Sequence, residues 1–118
     1  MSYDIELVHP VNGETLKLDS NHHMRGGTYC VGGTDEARLN VTYNYYKHFI
    51  RVLGDKGIRT IYGMSGVDSI PVLSNAVSQL ADDVSDNYWE PTEGNAKASL
   101  IQLLTLAKMR PDGIWNGD

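Results

Sequence analysis

Apolar and polar positions alternate through the first part of the chain and shift to helical spacing in the rest. Tyr3, Ile5 and Leu7 can face one way with Asp4 and Glu6 opposite, which predicts a strand over residues 3–9. Asn12-Gly13 follows as a hairpin signal, and Leu16 and Leu18 resume period two. A two-residue loop there would set Leu7 opposite Leu18 and His9 opposite Leu16, with both apolar rows on one face. Pro10 lacks an N–H and suits a hairpin near a sheet edge. Residues 19–27 read as a polar connection, residues 28–31 as a short strand and residues 32–35 as a flexible turn. Ala37, Leu39, Val41 and Tyr43 then alternate with Arg38, Asn40, Thr42 and Asn44 in the best strand pattern of the chain.

From Tyr45 the period changes. Tyr45 or Tyr46, Phe49, Ile50 and Leu53 suit a short helix closed by Gly54 in the left-handed conformation. Ile58, Ile61 and Tyr62 fit a single helical turn, with a strand as the alternative. Asp68 or Ser69 is expected to cap a second helix with Pro71 in its first turn, and Ile70, Leu73, Val77 and Leu80 would line its buried face. The clearest element is a helix over residues 92–109. Leu100, Leu103, Leu104 and Ala107 follow the i, i+3, i+4, i+7 rule, Ala96 extends that face, and Ile101, Leu106 and Met109 widen it. Pro111 stops this helix, and Ile114-Trp115 can fold back on the body.

Strands first and helices afterwards predict a single α+β domain over residues 1–118: an antiparallel sheet of about four strands from two N-terminal hairpins, packed by about three C-terminal helices. At 118 residues there is little room for a second domain. A net charge of −5 argues against a general nucleic-acid surface, which needs a basic stripe, and permits a basic protein partner. The lone Cys30 allows no internal disulfide and fits a reducing compartment. No apolar run reaches membrane-span length. The start Met1-Ser2-Tyr3-Asp4 has neither a basic region nor an apolar core, so no signal peptide and a cytoplasmic location are expected.

Candidate chemistry gathers in the connections. His22-His23 are adjacent and His9 and His48 lie elsewhere, which does not match zinc-ligand spacing, and no metal or cofactor is expected. Arg25-Gly26-Gly27-Thr28, continuing to Tyr29, could offer a guanidinium and backbone donors to an anion, against the plainer reading of a flexible turn. Tyr43, Asn44, Tyr45, Tyr46, His48 and Phe49 crowd the strand-to-helix junction, where amphipathic rings suit an interface or a pocket, against the plainer reading of core packing by Tyr43 and Phe49 with hydroxyl tips in water. Trp89, Glu93, Asn95 and Lys97 surround the start of the last helix. There Thr92 and Glu93 can simply cap, and Gly94 costs up to ~1 kcal/mol relative to Ala, so its missing side chain serves something. Beyond the other end, Arg110 could satisfy terminal carbonyls or pair with Asp112, and Trp115 could cover the core or anchor a partner. No spacing marks a nucleophile, base or paired catalytic carboxylates.

The strings Arg25-Gly26-Gly27-Thr28-Tyr29, Asn44-Tyr45-Tyr46-Lys47-His48-Phe49, Glu93-Gly94-Asn95-Ala96-Lys97 and Met109-Arg110-Pro111-Asp112-Gly113-Ile114-Trp115 together resemble a group of small uncharacterised proteins from bacterial and phage genomes. The resemblance covers most of the chain, implies a mobile-element accessory protein and carries no residue roles. The leading expectation is a non-enzymatic cytoplasmic binding protein, phage-encoded or of a mobile element, that engages a host protein or sequesters a small anionic ligand. Exposed sheet edges and spare aromatics add the expectation of a homo-oligomer. A small enzyme or nucleotide-handling protein with a polar cleft is the alternative, and a minor structural virion component is the third.

Overall fold

The computed structural model describes residues 1–28, 33–87 and 90–118. The chain runs β1 (Ser2–Val8), β2 (Lys17–His22), β3 (Thr34–Glu36), β4 (Arg38–Thr42), a 3-10 turn (Tyr43–Tyr45), α1 (Tyr46–Leu53), a second 3-10 turn (Gly57–Ile61), α2 (Gly66–Ser78), α3 (Glu93–Met109) and β5 (Ile114–Gly117). The fold is α+β, with strands leading and helices following. Among the described residues the strands form an antiparallel sheet of order β4-β1-β5 and a separate ribbon of β2 and β3. The alternation along β1 and β4 becomes cross-strand pairing. Tyr3 faces Val41 and Ile5 faces Leu39 on the buried side, while Asp4 faces Asn40 and Glu6 faces Arg38 on the polar side. On the other flank of β1, Leu7 pairs with Trp115.

The first hairpin keeps the expected face and shifts in register by two residues. Val8 pairs with Thr15, and the His9 amide bonds the Glu14 carbonyl, which leaves a four-residue loop. Leu7 therefore meets Leu16, not Leu18. Pro10 supplies a preset φ at the head of the turn, His9 Nδ1 accepts the Val11 amide at 3.1 Å and the Asn12 side chain accepts the Glu14 amide at 2.9 Å. These local bonds favour the longer loop. Past Leu16 the chain leaves β1 and pairs with β3, so residues read as a polar connection and a turn are partly strand. The short strand expected over residues 28–31 lies, except for Thr28, outside the described residues.

Both flanks of the three-stranded sheet are covered. The Thr42 amide bonds the Gly26 carbonyl at 2.7 Å along β4. Along β5 the Trp115 amide bonds the Met64 carbonyl at 2.9 Å, and the Gly63 amide returns to Trp115. A Cβ on Gly26 would lie 2.5 Å from the Asn40 carbonyl oxygen, so the close approach to β4 needs a glycine. The open edges that motivated an oligomer are thus occupied within the chain, at these positions, by its own loops.

The helices follow their caps. α1 ends at Gly54, whose φ is 101°, and its inward residues are Phe49 and Val52, with Ile50 turned outward. α2 is capped by Ser65, three residues before Asp68 and four before Ser69. Ser65 accepts the Asp68 amide at 3.1 Å, a serine cap with an acid three residues on, and Pro71 falls in the second turn. α3 begins after Thr92, as its sequence predicts. Ala96, Leu100, Leu103, Leu106 and Ala107 are fully buried at the centre of the core. Trp115 is 1% exposed and its indole N–H donates to Ser69 Oγ at 2.8 Å, inside the body. That indole joins the sheet to α2. Trp115→Phe removes a buried hydrogen bond and leaves a void, so it is expected to cost about 2 kcal/mol. A shift of the urea midpoint checks this.

Candidate ligand cleft

The junction between β4 and α1 is built by one hydroxyl and one tight turn. Thr42 Oγ1 accepts the Asn44 amide at 3.2 Å and turns the strand into the 3-10 segment. Tyr45 then points inward, 2% exposed, edge-on to Phe49 with ring centres 6.1 Å apart. Burial raises its hydroxyl pKa. Tyr43 is half-buried against Tyr3 at 4.4 Å. Asn44, Tyr46 and Lys47 are left on the outside. His48 reaches across to the next connection, its Nε2 lying 2.7 Å from the Pro91 carbonyl. That contact requires a proton on Nε2, which leaves Nδ1 for an incoming group. The result is an open cleft of about 400 Å³ lined by Tyr43, Asn44, Tyr46, Lys47, His48 and Pro91.

Behind Tyr43 lies a tyrosine cluster. The Arg59 guanidinium sits over the Tyr3 ring at 5.0 Å, a cation–π contact. Burial raises the Tyr3 pKa, against the pull of Arg59. The Tyr62 hydroxyl is buried with no hydrogen-bond partner among the described residues. Burial first and the Asp118 charge second push its pKa well up, so it stays protonated.

Four residues singled out in the sequence, Tyr43, Asn44, Tyr46 and His48, thus meet in one cleft. Glu93, Asn95 and Lys97 have another task. Their side chains grip the strap between α2 and α3: Glu93 accepts the Ala81 amide and pairs with Arg51, and Lys97 pairs with Asp82 at 2.7 Å. Arg25 is held by its backbone, whose amide and carbonyl both bond the Gln102 side chain on α3, and it does not line the cleft. Arg110 forks onto Asp112 at 3.0 and 2.8 Å and donates its third nitrogen to the Lys17 carbonyl at 2.7 Å. The fork holds the Asp112 carboxyl below its ordinary range. Arg110 borders a second hollow of about 390 Å³ with Lys17, Leu18, Asp19 and Met109. Trp115, read as either covering the core or anchoring a partner, covers the core: its ring is buried and its N–H is taken by Ser69. Tyr29 and Trp89 lie outside the described residues.

Of the polar connections, only Asn44 and His48 line this cleft; His22, Arg25 and residues 93–97 do not. His22 is engaged in the ribbon, with Nε2 at 2.8 Å from the Glu36 carbonyl and Nδ1 accepting the Met24 amide. Lys47 and Pro91 were missed. Lys47 carries no signal beyond its place among the aromatics, and Pro91 joins only because the strap crosses α1. Among the described residues no cluster of His, Cys, Asp and Glu could hold a metal ion, and no helix is long and apolar enough to cross a membrane. Comparison with protein-family models, with curated proteins and with solved structures finds no match to this chain.

Gly94 shows how tightly the strap lies on α3. A Cβ there would stand 2.6 Å from the Val84 nitrogen and 2.7 Å from the Asp83 carbonyl carbon, both backbone. Helix propensity alone would make Gly94→Ala stabilising by up to ~1 kcal/mol. The clash reverses the sign, and a net loss of about 1–3 kcal/mol is expected. Denaturant titration of the variant decides between the two.

Proposed function

We propose that the chain is a binding protein whose cleft at the β4–α1 junction takes a small planar ligand bearing a negative charge. The supporting observation is the composition of that cleft. Among the described residues two tyrosines, an asparagine, a lysine and a histidine line it with a proline, and no acid does, in a chain holding 15 acidic residues. Tyrosine faces suit a planar ring, and Lys47 favours an anionic substituent. His48, whose Nε2 faces the Pro91 carbonyl, leaves Nδ1 for a ligand group. An accessory role in a phage or mobile element is part of this reading and rests on the sequence resemblance alone.

A second reading is favoured by α1 itself. Tyr46 is 45% exposed and Ile50, one turn on, is 38% exposed, so the rim of the cleft continues into an apolar strip that suits a protein partner. The ligand reading is preferred because Lys47 and His48 line one hollow of about 400 Å³.

Titration with 8-anilino-1-naphthalenesulfonate, a planar aromatic anion, tests the site. Tyr46→Ala is expected to weaken binding about three- to tenfold, the size of a lost aromatic contact. Lys47→Ala is expected to weaken it and flatten its salt dependence. Equal affinity in both variants, with unchanged melting temperatures, would put the dye elsewhere and reject the cleft.

A further inference from the structure

Resting on the reading of the cleft as a ligand site, we propose that Asn95 is its positioning residue: it fixes the strap so that the Pro91 carbonyl meets His48. Asn95 occupies the first turn of α3 and is 6% exposed. An asparagine there is a poor helix former, and its amide would be costly to bury without partners. It has a full set. Oδ1 accepts the Ser85 amide at 3.1 Å, and Nδ2 donates to the Asn87 carbonyl at 3.2 Å and the Glu90 carbonyl at 2.9 Å. Its own amide donates to Thr92 Oγ1 at 3.0 Å. Asn95 therefore holds the residue on each side of Pro91, and the Pro91 carbonyl is free to face α1.

The neighbouring residues close the same clamp from outside. The Gly94 amide donates to Asp83 Oδ1 at 3.1 Å, and Glu93 and Lys97 take Ala81 and Asp82. The Glu93–Arg51 pair ties the clamp to α1, the helix that carries Tyr46, Lys47 and His48. Residues 93–97 thus act on the cleft without lining it. Their contacts transmit the position of the α3 start to one wall of the site.

Asn95→Asp keeps an acceptor for Ser85 and loses both donors, turning a carboxylate toward two carbonyl oxygens. Nitrogen-15 spectra of the imidazoles, assigned with His48→Gln, report the Nε2 proton of His48 without any ligand. The wild type is expected to show it hydrogen-bonded and slow to exchange. Asn95→Asp is expected to lose that protection and to bind the naphthalenesulfonate about fivefold more weakly or worse. Leu104→Ala, a half-buried site on the same helix, controls for general loosening and is expected to leave both readouts unchanged despite a lower melting temperature. Should Asn95→Asp fail to fold, Asp83→Ala removes the Gly94 contact from the exposed side and is expected to shift the same two readouts in the same direction. An Asn95→Asp protein that keeps the His48 signal and the wild-type affinity overturns the proposal. If Tyr46→Ala leaves dye binding unchanged, the ligand reading fails, and the His48 signal still decides whether Asn95 sets Pro91.

Discussion

The last helix buries Ala96, Leu100, Leu103, Leu106 and Ala107 while Ile101 and Met109, expected to widen that face, stay exposed, and covering the buried arc organises the molecule. Leu100, Leu103 and Leu106 are fully buried although their side chains leave α3 in different directions. One sheet would leave part of such a helix wet. α2 lies along it, the sheet packs on it through residues of β4, and the core continues through Phe49 of α1. Trp115 returns after the helix to complete the sheet beside Leu7 and to anchor Ser69 of α2. Residues at both ends of the chain therefore share one core, which favours cooperative folding.

Where apolar burial stops, polar clamps continue. The strap before α3 carries few large apolar residues among its described positions, and it is held by Asn95, Gly94, Glu93 and Lys97. Each bond to an exposed group contributes little, while those made by the buried Asn95 amide are costly to lose. A polar clamp fixes position more narrowly than a hydrophobic contact, because its donors and acceptors must align. The cleft lies where this clamp meets α1, so one wall comes from the strand-to-helix turn and the other from the strap.

Periodicity carried most of the fold. The alternation in β1 and β4, the reach of α3 and its Thr92 cap all follow from local pattern, and the structure places them there. The misses have physical causes. Asn12-Gly13 suggested the shortest hairpin, and His9 and Pro10 stabilise a longer one. Ser65 was overlooked as a cap because Gly66 obscured the helix start, though the acid at Asp68 gave the spacing. β5 is a strand because it completes β1, a long-range pairing that no local window contains. The cleft was half legible: aromatics crowded at a change of period announced Asn44, Tyr46 and His48, whereas Pro91 enters through a loop crossing. Asn95, Glu93 and Lys97 looked like ligand groups, since a clamp and a site use the same polar residues and only the partners tell them apart.

Native-state hydrogen exchange tests the dependence on α3 most directly. If this helix is the shared centre of the core, the amides of Leu100, Leu103 and Leu106 should exchange only by global unfolding, with the same opening free energy as those of Leu7 and Trp115 in the sheet. Opening of the α3 amides several kcal/mol below the global value, with the sheet amides still protected, would contradict the account.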